Sequence, residues 1–301
     1  MEVIDVKIEK KCLLCLANQC NQTMEITFQP KEIANRAKQA IESLIQSLPY
    51  ENVPPPKIAI DIYKKIASIT STDDIYQHIK TECIQKARII VDDILCKKPI
   101  FKTPEEELQW AIKISALGNI IDYGSATKFS IKNEVFNISK LDFAVFDLKD
   151  FYKKIQNSKT LLYLADNAGE NIFDEVLIST IKSIYPHIKI TYLTRGAPII
   201  NDITLNDMNT HLECKKIFDF CEVADSGVKS PGFIYEDANP AAQQSFNQAD
   251  IILAKGMGNF ECLENIPDSR IFLLFKIKCE VVSNHLKIAL GKMMFKQNSE
   301  K

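Results

Sequence analysis

Residues 160–170 read TLLYLADNAGE, a short apolar run that ends in Asp166 and Asn167 and is followed by a glycine and a second acid, Glu170. Apolar runs of this length bounded by turn residues read as buried strands. From Asn171 onward, Ile172, Val176 and Leu177 fall at helical spacing. Asp166 and Asn167 are therefore expected on the turn between a strand and a helix, at the sheet edge where open α/β folds bind ligands. An acid and an amide side by side offer hard oxygen donors, the kind a divalent cation prefers. Glu170 either joins that chemistry or is a first-turn acid favoured by the helix dipole.

Four further apolar runs end in reactive groups: IKITYLTRG (188–196) in Arg195, CEVADSG (221–227) in Asp225 and Ser226, ADIILAKG (249–256) in Lys255, and RIFLLFKI (270–277) in Lys276 or Lys278. Helical or loop segments separate them, the texture of a parallel sheet flanked by helices. All five C-terminal ends then share one edge, and groups far apart in sequence converge there. Behind Pro198, Asp202 is either a second carboxylate for a cation near Asp166 or, like Thr204, a cap for the next helix. Acids and an amide around one cation, with lysines nearby, suit an anionic substrate whose phosphate the cation polarises while lysines offset developing charge. Lys255, just before Gly256, is expected to bind an anion. Arg195 pairs with a substrate phosphate or with an acid of the site. Asp225 orients a water or occupies a turn, and Asn259 and Glu261 contact substrate or sit on a solvated loop. Asn119 and Asp122 follow a helix that ends at Gly118, as a wall over the site or as its closure.

The elements that position these groups fall into two regions. Up to about residue 120 the chain is helical: 31–48 carries Ile33, Ala37, Ile41 and Leu44 at helical intervals, the Pro54–Pro56 run marks a turn, and Thr103-Pro104-Glu105-Glu106 is a helix start. Residues 122–140 are irregular. LDFAVFDLKDFYKKIQNS is expected to hold a short extended piece and a helix ending near Asn157, and the tail KMMFKQNSEK to fray. The expected fold is α/β, with a helical domain over 1–150 and a Rossmann-like domain with a mostly parallel sheet over 151–301.

A net charge of −2 gives no electrostatic case for nucleic acid or an anionic membrane. No apolar run approaches the roughly 18–20 residues of a membrane span. The first residues, MEVIDVKIEKK, carry acids and no apolar core, unlike a secretory leader. Nine cysteines in that setting favour reduced thiols and a cytoplasmic location. Cys12 and Cys15 form a lone C-x-x-C, open to three readings: a structural metal shared with Cys83 or Cys96, a redox pair, or small apolar residues of a helical bundle. There is no G-x-S-x-G elbow, no G-x-x-x-x-G-K-[ST] loop and no G-x-G-x-x-G, which disfavours a serine hydrolase, an ATP-driven phosphotransferase and a dinucleotide enzyme.

Taken together, DNAGE (166–170), PIINDIT (198–204), DSGVKSPG (225–232), KGMGNFE (255–261) and KIKC (276–279) resemble the motifs of the metal-dependent damage-control phosphatases. CLLC (12–15) and ALGNIID (116–122) resemble that family's prokaryotic branch. The resemblance implies that Asp166, Asn167 and Asp202 coordinate a divalent metal such as manganese, cobalt, nickel or magnesium, with Glu170 and Lys255 beside the phosphate. The Arg-Thr-x-Lys signature of the eukaryotic branch is absent, and Lys276-Ile277-Lys278-Cys279 stands in its place. Lys278 is accordingly a candidate substrate contact, and substrate identity does not transfer between branches. The implied activity is hydrolysis of a small phosphorylated metabolite. The alternatives are a phosphometabolite or nucleotide sensor without turnover and, ranked below it, a protein carboxyl methyltransferase, an activity attributed to one branch but unsupported here by a glycine-rich cofactor loop.

Overall fold

The computed structural model describes residues 9–47, 53–119 and 141–299. The irregular stretch 122–140, with Asp122, lies outside the described residues. Seven strands form one sheet: β1 Phe143–Phe146, β2 Thr160–Leu164, β3 Lys189–Thr194, β4 Glu222–Asp225, β5 Ile251–Lys255, β6 Ile271–Lys276 and β7 Met293–Gln297, in the order β1-β7-β6-β5-β2-β3-β4. The five strands β4, β3, β2, β5 and β6 are mutually parallel, and β7 runs antiparallel to β6 with β1 parallel to β7. The fold is thus α/β with a mostly parallel sheet, and the five expected runs are its five parallel strands.

The near-continuous apolarity of β2, β5 and β6 follows from burial on both faces, whereas β4, at the edge, is only partly buried. Side chains alternate between the faces. Leu161, Tyr163, Ile251 and Leu253 pack under one helical layer, while Leu162, Leu164, Ile252 and Ala254 join Phe233, Phe246 and Phe260 under the other.

The N-terminal region holds helices α1 Lys10–Ile26, α2 Lys31–Ser47, α3 Pro55–Thr70, α4 Gln77–Cys96 and α5 Pro104–Gly118. The Pro54–Pro56 run opens a helix rather than only marking a turn: Pro54 is the N-cap of α3 and Pro55 its first residue, where a missing N–H costs nothing. α5 starts as its residues dictate, with the Thr103 side chain accepting from the Glu106 N–H and three acids in the first turn. α1 to α3 share a core of their own, whereas Ile84, Ile90, Leu108 and Ile112 of α4 and α5 belong to the core of the sheet. After β1 come α6 Leu148–Ile155, α7 Glu170–Ile184, α8 Leu205–Thr210, α9 Pro240–Gln248, α10 Met257–Leu263 and α11 Glu280–Leu286. Residue 150 therefore falls inside α6, with β1 on its N-terminal side. Among the described residues, no helix is long and apolar enough to cross a membrane.

The tail corrects an expectation. Instead of fraying, Met293–Gln297 forms β7 and fills the slot between β6 and β1. Met293, Met294 and Phe295 are buried, and the Phe295 ring lies 5.4–5.8 Å from those of Phe146, Phe151 and Phe272. Phe295→Ala is expected to lower the unfolding free energy by ~3–5 kcal/mol, measured by urea denaturation. A loss below about 1 kcal/mol, the range of a surface change, would show that the tail does not hold this slot.

Candidate active site

The site is built at the C-terminal edge of β2, where the chain leaves the sheet and turns into α7. Asp166 is buried there, against a backbone that leaves it no slack. A Cβ at Gly256, after β5, would stand 1.9 Å from Asp166 Oδ2, and Gly256 has φ +83, so only glycine fits beside that carboxylate. Asn167 Nδ2 donates to Asp166 Oδ2 at 3.0 Å and to Glu170 Oε1 at 2.9 Å, so both amide hydrogens are committed to carboxylates.

The loop after β3 folds back over the same edge. Its backbone is clamped by Ala168 N–H to Asn201 O (2.8 Å), Ile203 N–H to Asp166 O (2.9 Å) and Arg195 N–H to Ile203 O (3.0 Å), which places Asp202 across from Asn167. Thr204 caps α8: its hydroxyl accepts from Asp207 N–H, and its own N–H and hydroxyl donate to Asp207 Oδ2. Capping thus belongs to Thr204, and the Asp202 carboxylate points to the site. Asp207 is held in turn by Lys80 of α4, whose buried Nζ lies 2.7 Å from Asp207 and 2.5 Å from Asp74.

Asp166 and Asp202 are both buried carboxylates on one edge. Burial, then the carboxylates of Glu170 and Asp202, push the Asp166 carboxyl well above its ordinary range, against the pull of Arg195 and Lys278. Burial also raises Asp202, although Arg195 opposes it. Arg195 is the cation that is present: Nε donates to Asp202 Oδ2 at 2.7 Å, Nη2 lies 3.7 Å from Asp166 Oδ1, and the rest of the fork reaches Asn259 Oδ1 and Pro231 O. It pairs with the acids of the site and does not line the cavity.

Asp166, Asn167 and Asp202 line a cavity of about 440 Å³ together with Lys278, Glu261 and Lys11. Burial, with Glu264 nearby, pushes the Glu261 carboxyl up to about 8. Lys278 is exposed on the rim.

Other expected residues lie elsewhere. Lys255 is wholly buried one layer behind, bonded to Asp174 Oδ1 (2.7 Å), Ser115 O (3.1 Å) and Glu170 Oε2 (3.3 Å), and does not line the cavity. Burial works against its ammonium, but Asp174 and Glu170 outweigh that and raise its pKa. Asn119 likewise turns inward, donating to Glu170 Oε2 at 2.5 Å. Asn259 is buried with its amide spent on Lys255 O, Ala165 O, Arg195 and Phe233 N–H, so it braces the strand ends rather than facing substrate. Asp225 takes the turn role: it is exposed, accepts from Gly227 N–H at 2.6 Å and lies off the cavity. Cys12 and Cys15 sit one turn apart on α1 and line the cavity together with Cys279, while Cys83 is buried beneath Gly169 and Cys96 is exposed at the end of α4. Burial raises the thiol pKa of Cys12, Cys15 and Cys279. Sequence reading missed Asp174, Ser115 and Lys80, and gave Cys279 no role of its own beside the cavity. The only signal for Asp174 is its place four residues after Glu170, on the same face of α7.

The donor set fits a hard divalent cation. Two buried carboxylates repel each other beside an amide whose nitrogen is already bonded, which leaves its oxygen to ligate. Among the described residues no three of His, Cys, Asp and Glu are grouped to hold an ion; the set here is two acids and an amide.

The profile of the damage-control phosphatase ARMT1-like domain matches residues 8–294 of this chain. A damage-control phosphatase of Pyrococcus horikoshii is 30% identical over 297 residues, covering 98% of this chain and 100% of that protein. A damage-control phosphatase of Archaeoglobus fulgidus is 26% identical over 296 residues, covering 97% and 99%. The crystal structure of a DUF89 family protein from Pyrococcus horikoshii matches with a TM-score of 0.86 at 30% identity, over 97% of this chain and 99% of that one. The agreement runs through both the helical region and the sheet, and the chain belongs to the damage-control phosphatase ARMT1-like domain family.

Proposed function

We propose that the chain is a metal-dependent phosphatase that hydrolyses small phosphorylated metabolites. The observation that carries this reading is the excess of buried negative charge lining a cavity open to solvent, with an exposed lysine on its rim. Asp166, Asn167 and Asp202 hold the cation, which manganese, cobalt, nickel or magnesium would supply. When bound, it polarises the phosphoryl group and offsets the charge that develops on its oxygens.

The chain's own residues do the rest. Arg195 keeps the two carboxylates from splaying apart through its 2.7 Å bond to Asp202 and its 3.7 Å approach to Asp166. Lys278 takes the role on the phosphate oxygens that strand position alone would give to Lys255, because Lys278 lines the cavity and Lys255 does not. Glu261 is neutral below about pH 8 and donates a hydrogen bond to a substrate hydroxyl without repelling the phosphate. About 440 Å³ suffices for a small phosphate ester.

Three outcomes test this. Phosphate release from a generic aryl phosphate should require added metal, and Asp166→Ala should abolish it by more than about 100-fold, beyond the 10–100-fold typical of groups that only support a ligand. Unchanged turnover in that variant or after thorough chelation would contradict the reading. Lys278→Ala should raise KM roughly 10-fold, the loss of one charge-assisted hydrogen bond, with kcat changed less; an unchanged KM would remove Lys278 from the phosphate site. As pH rises through about 8, Glu261 loses its proton, turns repulsive and should raise KM, while Glu261→Gln should flatten that alkaline limb. An identical pH profile in the variant would show that Glu261 does not face substrate.

A further inference from the structure

Asp174 accepts four hydrogen bonds behind the site, yet it touches neither the cavity nor any group that lines it. It is fully buried on α7, one helical turn after Glu170. Its Oδ1 accepts from Tyr163 OH (2.6 Å), Ser115 Oγ (2.7 Å) and Lys255 Nζ (2.7 Å), and its Oδ2 from Tyr192 OH (3.0 Å). Four donors from α5, β2, β3 and β5 thus fix one carboxylate. A buried charge satisfied this completely is held in one place.

The next link is Lys255. Its ammonium has three hydrogens, and the structure gives it three acceptors: Asp174, Ser115 O and Glu170 Oε2. Lys255 and Asn119 both donate to Oε2 of Glu170, so that oxygen is taken and Oε1 is turned to Asn167. Asn167 Nδ2 then lies between Glu170 Oε1 and Asp166 Oδ2. With a cation holding Asp166 in its charged form, and with Lys255 and Asn119 donating to Glu170, both carboxylates accept from the amide, and reversing it would set oxygen against oxygen on both sides.

We propose that Asp174 is the remote positioning residue of this site. Through Lys255 and Glu170 it fixes the Asn167 amide with nitrogen toward the carboxylates and oxygen free for the cation. The assignment rests on the metal reading above and extends it to residues that touch no ligand. In this arrangement Glu170 and Lys255 orient a ligand and do not bind phosphate. Outer partners of this kind set ligand orientation, and their loss weakens metal binding.

Glu170→Gln tests the chain at its decisive link without changing shape. Lys255 and Asn119 are both donors, so they would draw the oxygen of the substituted side chain to their side. The new amide nitrogen would then face the Asn167 nitrogen, donor against donor, while Asp166 still calls for that nitrogen, so the Asn167 amide would lose the fixed orientation that keeps its oxygen free for the cation. Mn²⁺ binding to purified protein, followed by titration calorimetry and by the electron paramagnetic resonance of free Mn²⁺, should weaken by about 10–100-fold in Glu170→Gln and in Asp174→Asn. Saturating Mn²⁺ should recover most of the turnover in Asp174→Asn, and far-ultraviolet circular dichroism should match the parent chain. Parent-like Mn²⁺ affinity in Glu170→Gln would overturn the proposal, even where Asp174→Asn fails to fold. Parent-like affinity in Asp166→Ala would instead overturn the metal reading itself, so the two failures are distinguishable.

Discussion

Repulsion among three buried carboxylates governs this structure. Asp166, Asp202 and Glu170 come to one sheet edge from two chain segments, the turn from β2 into α7 and the loop after β3, and each is almost wholly removed from water. Ions desolvated together in this way persist only where opposite charge or donors compensate them. Two cations stand on the two sides of the cluster: Arg195 bonds Asp202 and approaches Asp166, and Lys255 bonds Glu170. The arrangement is lopsided. Arg195 serves both Asp202 and Asp166, the latter only at 3.7 Å, and Asp166 keeps a strongly raised carboxyl pKa. That residual imbalance opens onto the cavity, where a cation and then a phosphate can reach it.

The scaffold explains why the imbalance survives folding. Gly256 leaves room for the Asp166 carboxylate and nothing more, and the loop after β3 is pinned to the turn that follows β2 through main-chain bonds at Asp166 and Ala168, and to the end of β3 through Arg195 N–H. Lys80, from the helical region, holds Asp207 and so the cap that ends this loop. α4 and α5 contribute Lys80, Ser115 and Asn119 behind the site, so the helical region completes the site as well as the core.

Much of this was legible in the sequence because it rests on period and local turn chemistry. β2, β5 and β6 are near-continuous apolar runs, and the ordered turn groups at the ends of all five parallel strands revealed the shared edge. β7 was not legible, since three apolar residues followed by Lys296 and Gln297 carry no strand period of their own and are ordered by neighbours β6 and β1. Side-chain direction at a strand end was equally hidden. Lys255 shares the face of Ile251 and Leu253, which turns it under α5 and α7, whereas position alone suggested that it faced ligand. The partnerships of Asp174 with Lys255 and of Lys80 with Asp207 span 81 and 127 residues, beyond any local signal.

Where a single cation sits decides the central claim. Crystals of the parent protein grown with manganese and measured at the manganese absorption edge should show one strong anomalous peak, bounded by side-chain oxygens of Asp166, Asn167 and Asp202. A principal peak beside Cys12, Cys15 and Cys279, or a peak at the strand edge that Asp166→Ala leaves unchanged, would contradict it.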